Sequence, residues 1–189
     1  MKTEDDIRNA VEVMRKGGVI LYPTDTVWGI GCDATNAEAV ARVYEIKKRA
    51  DSKALICLVD SDARLQRYVK KVPNVAWELL DCADKPTTVI LDGAVNLAPN
   101  LIAEDGSIAL RITQEAFSKE LCYRLQKAIV STSANISGEP TAQNYCDIAQ
   151  EIIDAVDYVC WTRRQEHKPH KPSSIVKIGR DGQVTIIRK

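Results

Sequence analysis

Between Leu21 and Gly31 the chain reads Leu-Tyr-Pro-Thr-Asp-Thr-Val-Trp-Gly-Ile-Gly, which sets two threonines, an aspartate and a tyrosine inside an otherwise apolar run. Such groups can hydrogen-bond a ligand, whereas a plain core strand has no use for them. Val19, Ile20 and Leu21 read as a buried strand, and Pro23 cannot donate a ladder hydrogen bond, so the chain is expected to leave the sheet there. Thr24, Asp25 and Thr26 then fall at a strand end, a common place for a binding loop in an α/β sheet.

Three further constellations have the residue types for binding chemistry. Lys47-Lys48-Arg49-Ala-Asp-Ser-Lys53 holds four cations in seven residues between a helix and a strand. It is either a solvated helix end whose charges complement the macrodipole, or a clamp in which Arg forks and Lys point charges neutralise a nucleotide triphosphate. Ser131-Thr-Ser-Ala-Asn135-Ile-Ser137 holds five hydroxyl or amide side chains in seven residues directly after an apolar strand. These are ordinary turn formers, and they are also short groups that can bond phosphate and ribose oxygens without filling the ligand's space. In Ser107-Ile-Ala-Leu-Arg111 the period of two puts Ser107, Ala109 and Arg111 on one face of a strand. A mid-sheet Arg111 needs a carboxylate, supplied by an internal salt bridge or by a substrate.

The elements that must position these groups alternate between helix and strand. Thr3 to Asp6 resembles an acidic capping box opening a helix with Ile7, Ala10, Val11 and Met14 on one face and Gly17 as its stop. Asn36 is expected to cap a second helix ending near Arg49, before a strand from Ala54 to Val59. Two short helices follow, Ser61 to Lys70 and Pro73 to Leu80, then strands at Thr88 to Leu91 and Ser107 to Ile112. A helix over Glu115 to Leu125 precedes a short strand, Ile129 to Ser131. The next helix carries Tyr145, Ile148, Ala149 and Ile152, and Tyr158 to Cys160 is strand-like. Arg163 to Pro172 reads as a mobile, basic, proline-containing connection. Ser174 to Ile178 and Val184 to Arg188 form a closing hairpin around Asp181-Gly182. The interleaving indicates an α/β fold, and the hairpin makes a mixed sheet with flanking helices the expectation.

Composition narrows the class. A chain of 189 residues with 45% hydrophobic content suffices for one well-cored domain, taken to span 1–189. Lys+Arg and Asp+Glu are 26 each, so no global basic field would recruit nucleic acid. The six cysteines form no C-x-x-C pair and read as reduced, mostly core residues. Neither a signal core nor a membrane span is apparent, so a cytoplasmic location is expected. His167 and His170, separated by Pro169 and lacking cysteine or carboxylate partners, are not read as a metal site.

Taken in order, Tyr22-Pro-Thr-Asp-Thr-Val-Trp-Gly29, Lys47-x-Arg49 with Lys53, Ser133-Ala-Asn-Ile-Ser-Gly138 and Pro172-Ser-Ser-Ile-Val176 resemble the YrdC-like family, the threonylcarbamoyl-AMP synthases, in its short form. The resemblance covers Gly17 to Arg188 and implies a twisted mixed sheet around a concave, positively charged cavity. It implies condensation of L-threonine, bicarbonate and ATP to threonylcarbamoyl-AMP and pyrophosphate. The product would pass to a downstream transferase for the threonylcarbamoyladenosine modification of tRNA, and Mg²⁺ would arrive with ATP. By the same resemblance Thr26, Arg111 and Ser174 would bind threonine. Arg49, Lys53, Ser107, Ser131, Ser133, Asn135, Thr141 and Arg188 would bind ATP, and Lys47, Arg49 and Lys53 would neutralise charge. No residue is assigned as a nucleophile. The chain departs from the family at Ala83 to Thr88, where a Trp-Pro-Gly-Pro-x-Thr stretch is expected, and at Leu58, where a histidine is common. The alternatives are a module binding tRNA or double-stranded RNA without adenylate synthesis, and a carbamoyl-adenylate activity. The second of these is disfavoured by the lack of an acylphosphatase-like region and zinc-binding cysteine pairs.

Overall fold

The computed structural model describes residues 2–48, 55–167 and 171–189. Helix α1 (Thr3–Arg15) buries Ile7, Ala10, Val11 and Met14, the face expected from the sequence. The expected capping box does not form: Thr3 is already helical, Lys2 is the N-cap, and no side chain caps the turn. Glu4, Asp5 and Asp6 instead complement the helix dipole in the first turn. The helix stops where Gly17 takes φ +81° and Gly18 N–H returns to the Val13 carbonyl at 2.9 Å, a closure that favours glycine.

Strands β1 (Ile20–Tyr22) and β2 (Gly29–Gly31) form an antiparallel pair on either side of the Pro23–Trp28 loop. Asn36 caps α2 (Ala37–Ile46) by accepting from Glu38 N and Ala39 N, and this helix ends about a turn before Arg49. Strand β3 (Ile56–Val59) leads to α3 (Asp62–Leu65), a short 3₁₀ turn, and α4 (Asn74–Asp81). Strands β4 (Thr87–Asp92) and β5 (Ser107–Ile112) precede α5 (Ala116–Leu125), and β6 (Ile129–Ser133) runs two residues further than the sequence suggested. The single helix expected around Tyr145 to Ile152 is divided. Asp147 Oδ2 accepts from Asn144 N and Nδ2 around a 3₁₀ turn at Tyr145–Asp147, Ile148 is extended, and α6 begins only at Gln150 (Gln150–Ala155). Strands β7 (Tyr158–Val159), β8 (Ser174–Ile178) and β9 (Val184–Arg188) complete the order.

Among the described residues the nine strands form one sheet in the order β7-β1-β2-β6-β3-β5-β4-β8-β9. β1–β7, β3–β5 and β4–β8 are parallel and the remaining pairs antiparallel, so the sheet is mixed, as the closing hairpin required. One apolar core joins its central strands to α1, α2 and α5. Four cysteines (Cys32, Cys57, Cys122 and Cys160) are buried and free, and Cys82 and Cys146 are exposed. The connection expected to be mobile is anchored where it is described. Arg163 donates to the Thr24 carbonyl at 2.9 Å, and Arg164 donates to the carbonyls of Cys160 and Val159 while stacking between Tyr145 and Trp161. Holding two half-buried guanidinium groups against carbonyls, and Arg164 also against rings, ties down this start of the connection despite its polar composition. No helix among the described residues is long and apolar enough to cross a membrane.

Candidate functional site

The loop leaving β1 is tied by its own hydroxyls. Thr24 Oγ1 accepts from Thr26 N at 3.1 Å, lies 3.1 Å from Thr26 Oγ1 and donates to the Val27 carbonyl at 2.8 Å. This small knot fixes Thr26 at the strand end, facing Arg111 of β5. Arg111 is 3% exposed, and its Nη2 sits 3.3 Å from Thr26 Oγ1 and 2.8 Å from Asp25 Oδ1. The mid-strand arginine therefore has the internal salt bridge that its burial demanded. Its Nε is nevertheless buried with no hydrogen-bond partner among the described residues. Burial pushes the Asp25 carboxyl above its ordinary value, and the neighbouring Arg111 charge opposes that rise only in part.

Arg111 opens onto a cavity of about 280 Å³, near the lower end of the ~300–1,000 Å³ usual for ligand pockets. Its polar rim is Thr26, Ser131, Thr132, Ser133, Thr141, Ser173 and Arg188, and its floor includes Ile56, Ile90, Ala109 and Ile175 from adjoining strands. Ser173 is held from two sides. Its Oγ lies 2.9 Å from Thr88 Oγ1, and Arg188 Nε donates to its carbonyl at 2.9 Å. Burial, and then the nearby Arg111 charge, lower the Arg188 pKa from its usual value, so two guanidinium groups are held together at a strand-lined hollow. Such an arrangement suits an anion that accepts from the guanidinium groups.

The structure brings Thr26, Arg111, Ser131, Ser133, Thr141 and Arg188 to this one cavity. Ser174 follows the lining residue Ser173 and is buried, with an Oγ that has no partner among the described residues. Ser107 lies farther along β5, outside the lining, with its N–H donating to Asp105. Asn135 is also outside the lining, its Nδ2 donating to the carbonyls of Ile136 and Glu139. Lys47 is 2% exposed, and its Nζ donates to the carbonyls of Ser133 at 2.6 Å and Asn135 at 2.7 Å. It thus ties the end of α2 to the serine-rich loop from beneath. Arg49 and Lys53 lie outside the described residues. Sequence reasoning missed Asp25 as the partner of Arg111, although a charged mid-strand residue announces that some carboxylate must be near. Among the described residues, no group of three or more His, Cys, Asp or Glu side chains could hold a metal ion.

The family Sua5/YciO/YrdC, described as "Telomere recombination", matches residues 12–189. The chain belongs to this family. It is 33% identical over 161 residues to a threonylcarbamoyl-AMP synthase of Pseudoalteromonas translucida, covering 84% of this chain and 86% of that protein. It is 36% identical over 151 residues to a threonylcarbamoyl-AMP synthase of Pseudomonas paraeruginosa, covering 79% and 81%. Among solved structures, E. coli YciO superposes with a TM-score of 0.85 at 25% identity, covering 100% of this chain and 90% of that one. P. abyssi Sua5 complexed with L-threonine gives a TM-score of 0.85 at 22% identity, a likeness of fold. The match covers 100% of this chain but only 54% of the Sua5 chain.

Proposed function

We propose that the chain, acting as one domain over residues 1–189, is an L-threonylcarbamoyladenylate synthase. It joins L-threonine, bicarbonate and ATP into threonylcarbamoyl-AMP for the threonylcarbamoyladenosine modification of tRNA. The observation that carries this reading is Arg111, which lies beside Thr26 in a hollow rimmed by serine and threonine hydroxyls and whose buried Nε lacks a partner among the described residues. A buried donor left unpaired is costly, and a substrate carboxylate would satisfy it in the fork geometry that arginine favours. Curated relatives of the family carry the same activity in their names.

In this reading the threonine carboxylate lies on Arg111 with Thr26 and Ser174 beside it, and the nucleotide extends past Ser131, Ser133 and Thr141 toward Arg188. The threonine amine adds to bicarbonate with loss of water, giving a carbamate. A carbamate oxygen then attacks the α-phosphorus of ATP, the bond from that phosphorus to the bridging oxygen breaks, and pyrophosphate leaves. Both reactants are polyanions, so the catalytic task is positioning and charge neutralisation, which Arg188, Arg49 and Lys53 would share. Mg²⁺ would enter on the ATP phosphates. The product would pass to a separate transferase.

The test is to incubate the protein with ATP and bicarbonate, with and without L-threonine, while following pyrophosphate and a new adduct of AMP. Threonine-dependent formation of both is expected. Turnover that ignores threonine, or no turnover, overturns the proposal.

A further inference from the structure

Strand β9 ends the sheet and, among the described strands, pairs only with β8. All five of its residues are exposed, and Val184, Ile186 and Ile187 are 43%, 59% and 56% exposed. Gly179 N donates to the Gln183 carbonyl at 2.9 Å, so these two residues form a hydrogen-bonded pair at the hairpin end. Alternation along an antiparallel ladder then turns the backbone groups of Thr185 toward Lys177, and those of Val184 and Ile186 out of the sheet. Val184 and Ile186 stand opposite Ile178 and Val176, both buried. The apolar face of the sheet therefore runs one strand beyond its cover and ends on a row of donors and acceptors that no further strand pairs with among the described residues, the type of edge that recruits another strand.

We propose that β9 is a docking edge for a second copy of this chain, paired antiparallel with Thr185 opposite Thr185 of the second copy on a two-fold axis. In this register Val184 of each copy faces Ile186 of the other, and the outward backbone groups of these residues bond one another. The four apolar side chains join the Val176–Ile178 faces of both sheets. The register irregularity between Ile175 and Val176 lies opposite the segment after Ile186, beyond the central three residues. A second copy fits this edge because its charges complement themselves on reversal. Asp181, exposed at the turn, comes beside Lys189 of the second copy, and Lys189 beside its Asp181. The chain's formal net charge of zero adds no long-range repulsion between copies.

Sedimentation of the purified chain across a concentration series tests the association, and it is expected to show a monomer–dimer equilibrium. Ile186→Lys, counted twice in a symmetric dimer, should weaken association by about a hundredfold. Asp181→Lys alone should weaken it, and Asp181→Lys with Lys189→Asp should restore it. The register is read by Thr185→Cys in a Cys82→Ser/Cys146→Ser background. Cβ atoms directly opposed in a non-hydrogen-bonded pair lie close to the spacing a disulfide needs. Oxidation should yield a covalent dimer from Thr185→Cys and none from Gln183→Cys. A concentration-independent monomer overturns the proposal, as does a dimer untouched by Ile186→Lys or a crosslink at Gln183→Cys in place of Thr185→Cys.

Discussion

Replacing Arg111 by Met removes a charge while keeping much of the volume, and its effects can be worked out from the contacts. The guanidinium has one Nη engaged by Asp25 and Thr26, and a buried Nε without a partner among the described residues. If that free edge receives the threonine carboxylate, the variant loses a charge-assisted pair of hydrogen bonds worth ~3–5 kcal/mol in a buried setting. At 1.4 kcal/mol per decade, kcat/KM for threonine should fall by about two to four orders of magnitude. ATP affinity, measured by titration without threonine, should change by less than about threefold on the same scale. Arg111→Lys keeps the charge but not the fork, and should fall between wild type and Met. The variant also leaves Asp25 buried without its cation. Asp25 already has a raised pKa in the folded state, so it favours folding below the usual carboxylate range and opposes folding as pH rises through the folded value. Without Arg111 that value rises further, and the stability loss should be larger at pH 8 than at pH 5 in urea unfolding. Adding Asp25→Asn should recover stability but not threonine use. Equal losses for threonine and ATP, or recovery of threonine use by Asp25→Asn, would show that Arg111 serves only to balance Asp25.

Three other perturbations probe the scaffold. Lys47→Met strands the Ser133 and Asn135 carbonyls, which the ammonium now holds at 2.6 and 2.7 Å; it should cost ~2–4 kcal/mol of stability and raise KM for ATP more than KM for threonine, an order that steady-state kinetics can reverse. Asp6 accepts from Tyr158 Oη, Trp161 N and both donors of Thr162; Asp6→Ala should destabilise by ~3–5 kcal/mol in denaturant titration, and a loss below ~1 kcal/mol would contradict the clamp. The Lys177 ammonium, more than the hydrogen bonds from Ser107, holds the Asp105 carboxyl down from 3.8 to about 2. Its contribution is present above 3.8 and fades as pH falls toward 2, so wild type and Asp105→Asn should differ near neutrality and converge in acid. The pair is half-exposed, which limits that difference to below ~1 kcal/mol.

Much of this architecture was readable from periodicity. The buried face of α1, the Asn36 cap and the period-two placement of Ala109 and Arg111 on the cavity side of β5 follow from residue spacing alone. The misreadings have local causes. Thr3 looked like a cap because its neighbours are acidic, but acidic residues also suit the first turn of a helix that starts one residue earlier. The break at Ile148 was hidden because apolar residues spaced like a helix also serve a 3₁₀ turn followed by an extended buried residue. The segment that starts with Arg163 and Arg164 reads as mobile because sequence shows charge and not the carbonyls that await it. The same limit applies at the site. Motif order led to Thr26, Ser131, Ser133 and Arg188, but which loop residue faces the hollow and which braces it depends on backbone direction after the strand ends. Ser133 and Asn135 are two residues apart, yet one lines the cavity and the other folds back on the carbonyls of its own turn.

The glycines of the opening motif show why hydroxyl loops from distant parts of the chain can meet at all. Neither Gly29 nor Gly31 has a positive φ, so backbone freedom is not their role. A Cβ on Gly31 would lie 2.4 Å from the Val130 carbonyl oxygen and 2.6 Å from the Tyr22 ring, and one on Gly29 would lie 3.3 Å from Ser131 Oγ. Strand β2 is thus a thin spacer between β1 and β6. It lets Tyr22 reach across to the Val130 carbonyl with a 3.2 Å hydrogen bond, and it brings Ser131 and Ser133 to the same rim as Thr26. The clash at Gly31 is with backbone and a buried ring, neither of which can yield cheaply, so a side chain there would push β6 away and widen the hollow. Read this way, the polar residues between Tyr22 and Thr26 supply the contacts, and the small residues at 29 and 31 set the distance over which those contacts can act together.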